Sequence, residues 1–235
     1  VQAASVTAPL QDSHRSGLPG IGRLGYTGAM KLYDVQPAPN PRRVRIFMAE
    51  KGIEIPTVQV DMMAAEQRSE AFRKKNPSGK VPVLELDDGT CIAESIAICR
   101  YLEAIHPEPN LFGATPTELG QVEMNTRIIE MELMSQVGAA WVNGPIVAKM
   151  APGRFTQIPE AKVQGERNAN AFYQRLNREL EDRDYIAGNR FTVADIAAIT
   201  TIDFASARVD LKPDASLEAL WRWHARLVER PSYNA

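Results

Sequence analysis

The chain has 235 residues, 27 lysines and arginines against 29 aspartates and glutamates, and a formal net charge of −2, which gives no electrostatic case for nucleic acid. No apolar run approaches the roughly 20 residues that span a bilayer, and 235 residues can fold as one large domain or two modest ones. Cys91 and Cys99 are too few and too close for a disulfide scaffold, and His14, His106 and His224 have no metal-ligand spacing, so a reducing, cytoplasmic setting is expected.

Residues 1–29 are rich in Gly, Pro, Ser and Ala without helical or strand period, and they are expected to be a disordered extension with no secretory signal. Gly20-Ile21-Gly22-Arg23-Leu24-Gly25 formally matches a dinucleotide-binding fingerprint, but that motif needs a strand before it and a helix after it, and neither pattern is present. Folded structure is expected from Met30, which reads as a true start preceded by an over-extended reading frame.

From Met30 the pattern is strand, helix, strand, helix, hairpin, helix. Lys31–Tyr33 reads as a short strand. Asn40-Pro41 predicts a helix with Asn40 as N-cap and Pro41 at the first helical position, Val44, Phe47 and Met48 on one face, and a stop at Lys51-Gly52. Thr57–Val60 predicts a second strand and Glu66–Lys75 a short helix. Val81–Leu86 and Thr90–Ala93 flank Asp87-Asp88-Gly89, a hairpin signal, and Ser95–Ile105 is helical with Ile96, Cys99, Leu102 and Ile105 on one side.

His106-Pro107-Glu108-Pro109-Asn110 breaks the pattern, and beyond it no strand is indicated. Thr115-Pro116 starts a long helix, Pro159 begins another running to about Arg183, and Leu217, Leu220, Trp221, His224 and Leu227 mark a last one. Phe191-Thr192-Val193-Ala194-Asp195 combines a Thr-x-x-Asp capping box with a hydrophobic staple from Phe191 to Ile196. The expected organisation is an α/β unit over residues 30–108, a linker over 109–115 and an all-α unit over 116–235.

Four features carry a family resemblance: the block Asn76-Pro77-Ser78-Gly79-Lys80-Val81-Pro82-Val83-Leu84, the pair Glu94-Ser95, the Pro-rich linker, and the Phe191–Asp195 box. In this order and spacing the chain resembles a cytosolic glutathione transferase of the bacterial, theta-like type, over essentially all of residues 30–235. The resemblance implies a thioredoxin-like first domain, an all-helical second domain, a homodimer, and a site at the domain interface. Glutathione then enters as a substrate, with no separate cofactor.

The chemistry fits those residues. Ser95 at a helix start offers its hydroxyl and unpaired N–H groups to the γ-glutamyl carboxylate, and Glu94 takes the ammonium. The resemblance makes the Val81–Pro82 bond cis, which turns the Val81 N–H and C=O toward the cysteinyl backbone of the ligand. Lys80 can reach the glycyl carboxylate. The family's thiol-activating serine falls at Ala38, and no Ser, Thr or Cys lies between Met30 and Glu50. The expected substitutes are Asn40, donating from the helix start, and Arg42, adding positive potential, with Tyr33 as a further candidate. Met131, Met134, Trp141, Met150 and Phe155 are apolar candidates for an acceptor pocket. The expected reaction is attack of the glutathione thiolate on a hydrophobic electrophile. A glutathione-dependent peroxidase or disulfide reductase, and a non-catalytic binding protein of the same fold, are the alternatives.

Overall fold

A computed structural model of the protein describes residues 30–153 and 155–235. The expected disorder of residues 1–29 and the Gly20–Gly25 match lie outside the described residues.

The first domain is built on four short strands, β1 (Lys31–Asp34), β2 (Thr57–Gln59), β3 (Val83–Glu85) and β4 (Cys91–Ala93), in the order β2-β1-β3-β4. β1 and β2 are parallel because helix α1 (Pro39–Lys51) crosses between them, while β3 and β4 form the antiparallel hairpin that Asp87-Asp88-Gly89 calls for. Alternation sends Leu32 and Leu84 to the face covered by α1 and α3 (Ser95–Ile105), and Tyr33 and Val83 to the face covered by Phe72 of α2 (Glu70–Lys75). Val44 and Phe47 of α1 are fully buried, as the helical period predicts.

Two boundaries differ from the sequence reading. The segment expected as one helix over 66–75 is a 3₁₀ turn at Glu66–Arg68 followed by α2, because the Ser69 hydroxyl accepts from Phe72 N–H at 3.1 Å and starts the helix afresh. Helix α1 begins earlier than expected. Its N-cap is Ala38 and its first residue Pro39, so Asn40 is the second helical residue and not the cap. Proline is tolerated throughout a first turn because those N–H groups have no intrahelical partner anyway.

The second domain is built of helices, with one isolated bridge between Tyr185 and Gly188 and no strand among its described residues. Helix α4 (Pro116–Ile128) runs through a π-turn at Ile129–Met134 into α5 (Ser135–Val142), followed by α6 (Pro145–Met150), α7 (Pro159–Glu179), α8 (Val193–Phe204) and α9 (Glu218–Val228). Helix α7 stops at Glu179, before the expected Arg183, and α6 has no counterpart in the sequence reading. At the start of α8 the capping box forms as expected, and it reaches further. The Asp195 carboxylate accepts from Thr192 N–H, Ile186 N–H and the Trp223 indole, each at 2.9 Å, tying α8 to the preceding loop and to α9.

The two domains share one continuous apolar core. Helix α1 faces the sheet with one side and α8 with the other, and Phe47 meets Phe112 edge-on at 5.8 Å. A terminal 3₁₀ turn at Pro231–Asn234 clasps α1: Arg230 binds Glu50 through two bonds of 2.8 and 2.6 Å, and the Ser232 hydroxyl adds a third.

Candidate functional site

The strand register brings the sequence-predicted binding residues to one edge. Tyr33 pairs with Val83 and Val83 with Ala93, so the C-terminal end of β1, the N-terminal end of β3 and the C-terminal end of β4 lie side by side. Extending that register sets Val81-Pro82 beside Glu94-Ser95, with the loop into α1 next to them. The Val81–Pro82 bond is cis, as the resemblance implied. Neither the N–H nor the C=O of Val81 has a hydrogen-bond partner among the described residues.

The Asn76 side chain shapes the approach to this step. It donates to Lys80 C=O at 2.8 Å and accepts from Ser78 N–H at 3.1 Å. Gly79 is required there: its φ is +62°, and an added Cβ would lie 2.8 Å from the Gln67 carbonyl oxygen. The Lys80 side chain emerges exposed, without an ion pair among the described residues.

Glu94 turns the chain from β4 into α3 with φ at +67°, a left-handed conformation unusual for a residue with a Cβ. Its exposed carboxylate makes no hydrogen bond or ion pair among the described residues, though its charge acts on the nearby Arg43. Glu94 occupies the N-cap position and Ser95 is the first helical residue, so Ser95 is not the cap that its residue type predicts. The first intrahelical bond, Ile98 N–H to Glu94 C=O at 3.0 Å, leaves the N–H groups of Ser95, Ile96 and Ala97 ahead of it. The Ser95 hydroxyl oxygen accepts from Arg43 Nη1 at 2.9 Å.

Arg43 had no signal in the sequence as a site residue. It is 1 % exposed and pairs with Glu130 of the π-turn at 3.0 Å, joining the two domains directly behind Ser95. Burial lowers its affinity for the proton and Glu130 opposes that effect.

Two candidate activators are committed elsewhere. The Arg42 guanidinium donates to Asp203 at 2.6 Å and to Tyr233 C=O at 3.0 Å, and it lies over the Tyr233 ring. Its charge is therefore shared with a carboxylate of α8, contrary to the expectation of a free positive potential. Burial pushes the Asp203 carboxyl up, but hydrogen bonds from His224 and Arg42 outweigh it and hold the group below its ordinary range. Tyr33 lies on the α2 face and donates to Glu85 at 2.6 Å. Burial and this bond raise its hydroxyl above the usual tyrosine value, opposite to what a thiol activator needs.

Asn40 is half-buried, and its side-chain amide has no hydrogen bond among the described residues. Pro39 and Pro41 carry no N–H, and Ala38 N–H bonds Val35 C=O at 2.9 Å. The Asn40 N–H is thus the one unpartnered backbone donor in the first three helical residues.

Of the acceptor-pocket candidates, Trp141 lines a cavity of about 210 Å³ with Pro145, Ile146, Lys162, Arg208 and Val209. Its ring packs on Phe204, the residue after the Arg42 partner Asp203 in α8, at 5.2 Å. Met134 contacts Thr201 of α8 at 3.7 Å, whereas Met131, Met150 and Phe155 are exposed and line no part of that cavity. A larger concavity of about 660 Å³, rimmed by Glu118, Arg183, Arg190 and Arg222, lies elsewhere in the helical domain and shares no residue with the β-edge. No group of three His, Cys, Asp or Glu among the described residues is arranged to hold a metal. No described helix is long and apolar enough to cross a membrane.

A thioredoxin-like domain with a polar edge at its cis-proline, fused to a helical domain, is the class that this fold and site define. Comparison with known proteins narrows it. Residues 28–104 match the family described as glutathione S-transferase, N-terminal domain, and residues 144–231 match glutathione S-transferase, C-terminal domain. Glutathione S-transferase 2 of Saccharomyces cerevisiae is 36% identical over 224 residues, covering 91% of this chain and 94% of that protein. The crystal structure of Gtt2 from Saccharomyces cerevisiae superposes with a TM-score of 0.82 at 35% identity, over 87% of this chain and 98% of that one. A glutathione S-transferase domain-containing protein from Marinobacter aquaeolei VT8 gives 0.79 at 40% identity, over 86% and 99%. The chain belongs to the glutathione S-transferase family of enzymes.

Proposed function

We propose that the protein activates the thiol of glutathione for attack on a hydrophobic electrophile, a conjugation chemistry suited to detoxification. The observation that carries this is the set of unpartnered polar groups along one β-edge: Val81 N–H and C=O, the Glu94 carboxylate, the N–H groups opening α3, and the Lys80 ammonium. They match glutathione in order. The α3 terminus and the Ser95 hydroxyl take the γ-glutamyl carboxylate, Glu94 its ammonium, Val81 and the cis Pro82 the cysteinyl backbone, and Lys80 the glycyl carboxylate.

The cysteinyl sulfur then lies toward the first turn of α1. There the Asn40 backbone N–H and side-chain amide stabilise thiolate over thiol without a general base, the proton leaving to solvent. The thiolate attacks an electrophilic carbon held against Trp141. A C–S bond forms, and the leaving group departs with its electron pair. The working unit is a homodimer, and Cys91 and Cys99, both free thiols, suit a reducing compartment.

The test is retention on immobilised glutathione followed by turnover of an aryl halide and, separately, of an organic hydroperoxide. Retention with aryl-halide turnover is expected. Retention with hydroperoxide turnover alone would make the enzyme a peroxidase, and failure to retain would overturn the reading. Light scattering is expected to give twice the chain mass.

A further inference from the structure

Arg43 is a fully buried cation whose Nε and Nη2 have no hydrogen-bond partner among the described residues. Its counter-ion Glu130 is a quarter exposed and is also approached by Arg127 at 3.4 Å. A buried charge paired directly with one shared carboxylate, with only a smaller contribution from the Glu94 charge, is incompletely neutralised, and it favours a further anion nearby. The open end of α3 lies immediately beside it: Arg43 Nη1 reaches both Ser95 Oγ, at 2.9 Å, and Glu130, at 3.0 Å.

That contact also fixes a proton. A hydroxyl has one hydrogen to donate and two lone pairs to accept with. Because the guanidinium can only donate, Ser95 Oγ must be the acceptor, and its own hydrogen is left to point away from Arg43. The unpartnered N–H groups of Ser95, Ile96 and Ala97 open at the same helix end. With an acceptor site of the hydroxyl taken by Arg43, its hydrogen is free to donate to an anion bound there.

We infer that Arg43 is a positioning residue for the γ-glutamyl carboxylate, acting through the Ser95 hydroxyl and by its buried charge, and that Glu130 on the π-turn makes this pocket depend on the second domain. Arg43 does not touch the ligand. The inference rests on the glutathione reading, and its test keeps the two separable by truncating the ligand as well as the protein.

Calorimetric affinities are measured for glutathione and for γ-aminobutyryl-cysteinyl-glycine, which keeps the amine, thiol and glycyl carboxylate but lacks the α-carboxylate. Wild type is expected to bind the truncated peptide tenfold or more weakly, on the order of one charge-assisted hydrogen bond. Arg43→Met is expected to weaken glutathione by about tenfold and the truncated peptide by less than about twofold, so that the protein no longer registers the carboxylate. Its kcat at saturating glutathione should stay near wild type while KM rises. Arg43→Lys, which keeps the charge but not the planar fork, should fall between, and it carries the same comparison if Arg43→Met does not fold. Equal losses for both peptides would make Arg43 a purely structural residue and overturn the inference, as would no loss for either. Failure of the wild type to bind glutathione would remove the glutathione reading itself, and this inference with it.

Discussion

Replacing Asn40 by alanine removes the side-chain amide while keeping the backbone N–H that Pro39 and Pro41 leave as the first turn's only unpartnered donor. A hydrogen bond to a charged group contributes about 1.5–3 kcal/mol, and Asn40 is only half-buried, so the lower end applies. At about 1.4 kcal/mol per pKa unit, the bound thiol should rise by about one unit. Thiolate absorbance near 240 nm, titrated on the glutathione complex, reads that shift directly. The rate should follow with a particular shape. Below the thiol pKa the variant has about tenfold less thiolate, but each thiolate is more nucleophilic by about threefold at a Brønsted slope of 0.4–0.5, so turnover falls only about threefold. Well above the pKa the order inverts, and the variant becomes about threefold faster. Tyr33→Phe should move neither quantity, because that hydroxyl is bound to Glu85 on the other face of the sheet. An unchanged thiol pKa in Asn40→Ala, or a shift in Tyr33→Phe, would refute the assignment.

Lys80→Met should weaken glutathione by about two- to fivefold at low salt, the scale of an exposed ion pair, and the difference should shrink in a salt titration. Asp195→Ala strands the Trp223 indole and the Thr192 and Ile186 N–H groups in the core, so a loss of about 3–5 kcal/mol is expected in urea unfolding. Burial pushes the Glu50 carboxyl up, but hydrogen bonds from Arg230 and Ser232 outweigh it and hold the group below its ordinary value. A depressed carboxyl stabilises the fold above its unfolded pKa and loses that contribution as pH falls through the folded one. Glu50→Gln should accordingly be less stable than wild type near neutral pH, and the gap should close below about pH 4 in denaturation melts.

The fold was legible wherever side-chain period and turn chemistry acted together. The hairpin at Asp87–Gly89, the helix from Ser95 to Ile105 and the Thr192–Asp195 box each have a local cause that the structure keeps. The start of α1 was misplaced because Asn-Pro is the stronger capping signal, whereas the backbone bends two residues earlier, at Ala38-Pro39, where no side chain announces a cap. The break at Ser69 hid inside a run of good helix formers. The candidate site was readable because most of its groups are backbone groups set by Pro82 and a helix start. Arg43 was not, since an arginine in the basic stretch Arg42–Arg45 reads as a solvated surface charge, whereas the fold buries it between Ser95 and Glu130 of the second domain. The same docking commits Arg42 to Asp203, a partner 161 positions away that no local pattern names.

The π-turn at Ile129–Met134 has a consequence for how this sequence can change length. A π-turn is what a single extra residue leaves behind in an α-helix, and removing one residue there restores regular winding. The i→i+5 turn takes up that residue, so the two flanks keep the facing they would have in an unbroken helix. Helix α4 packs against α8 and α5 against α7, and a deletion at the turn leaves both contacts on the same faces. Loss of the Glu130 codon is thus the smallest genetic event that could release Arg43 from the helical domain while leaving every residue of the β-edge in place.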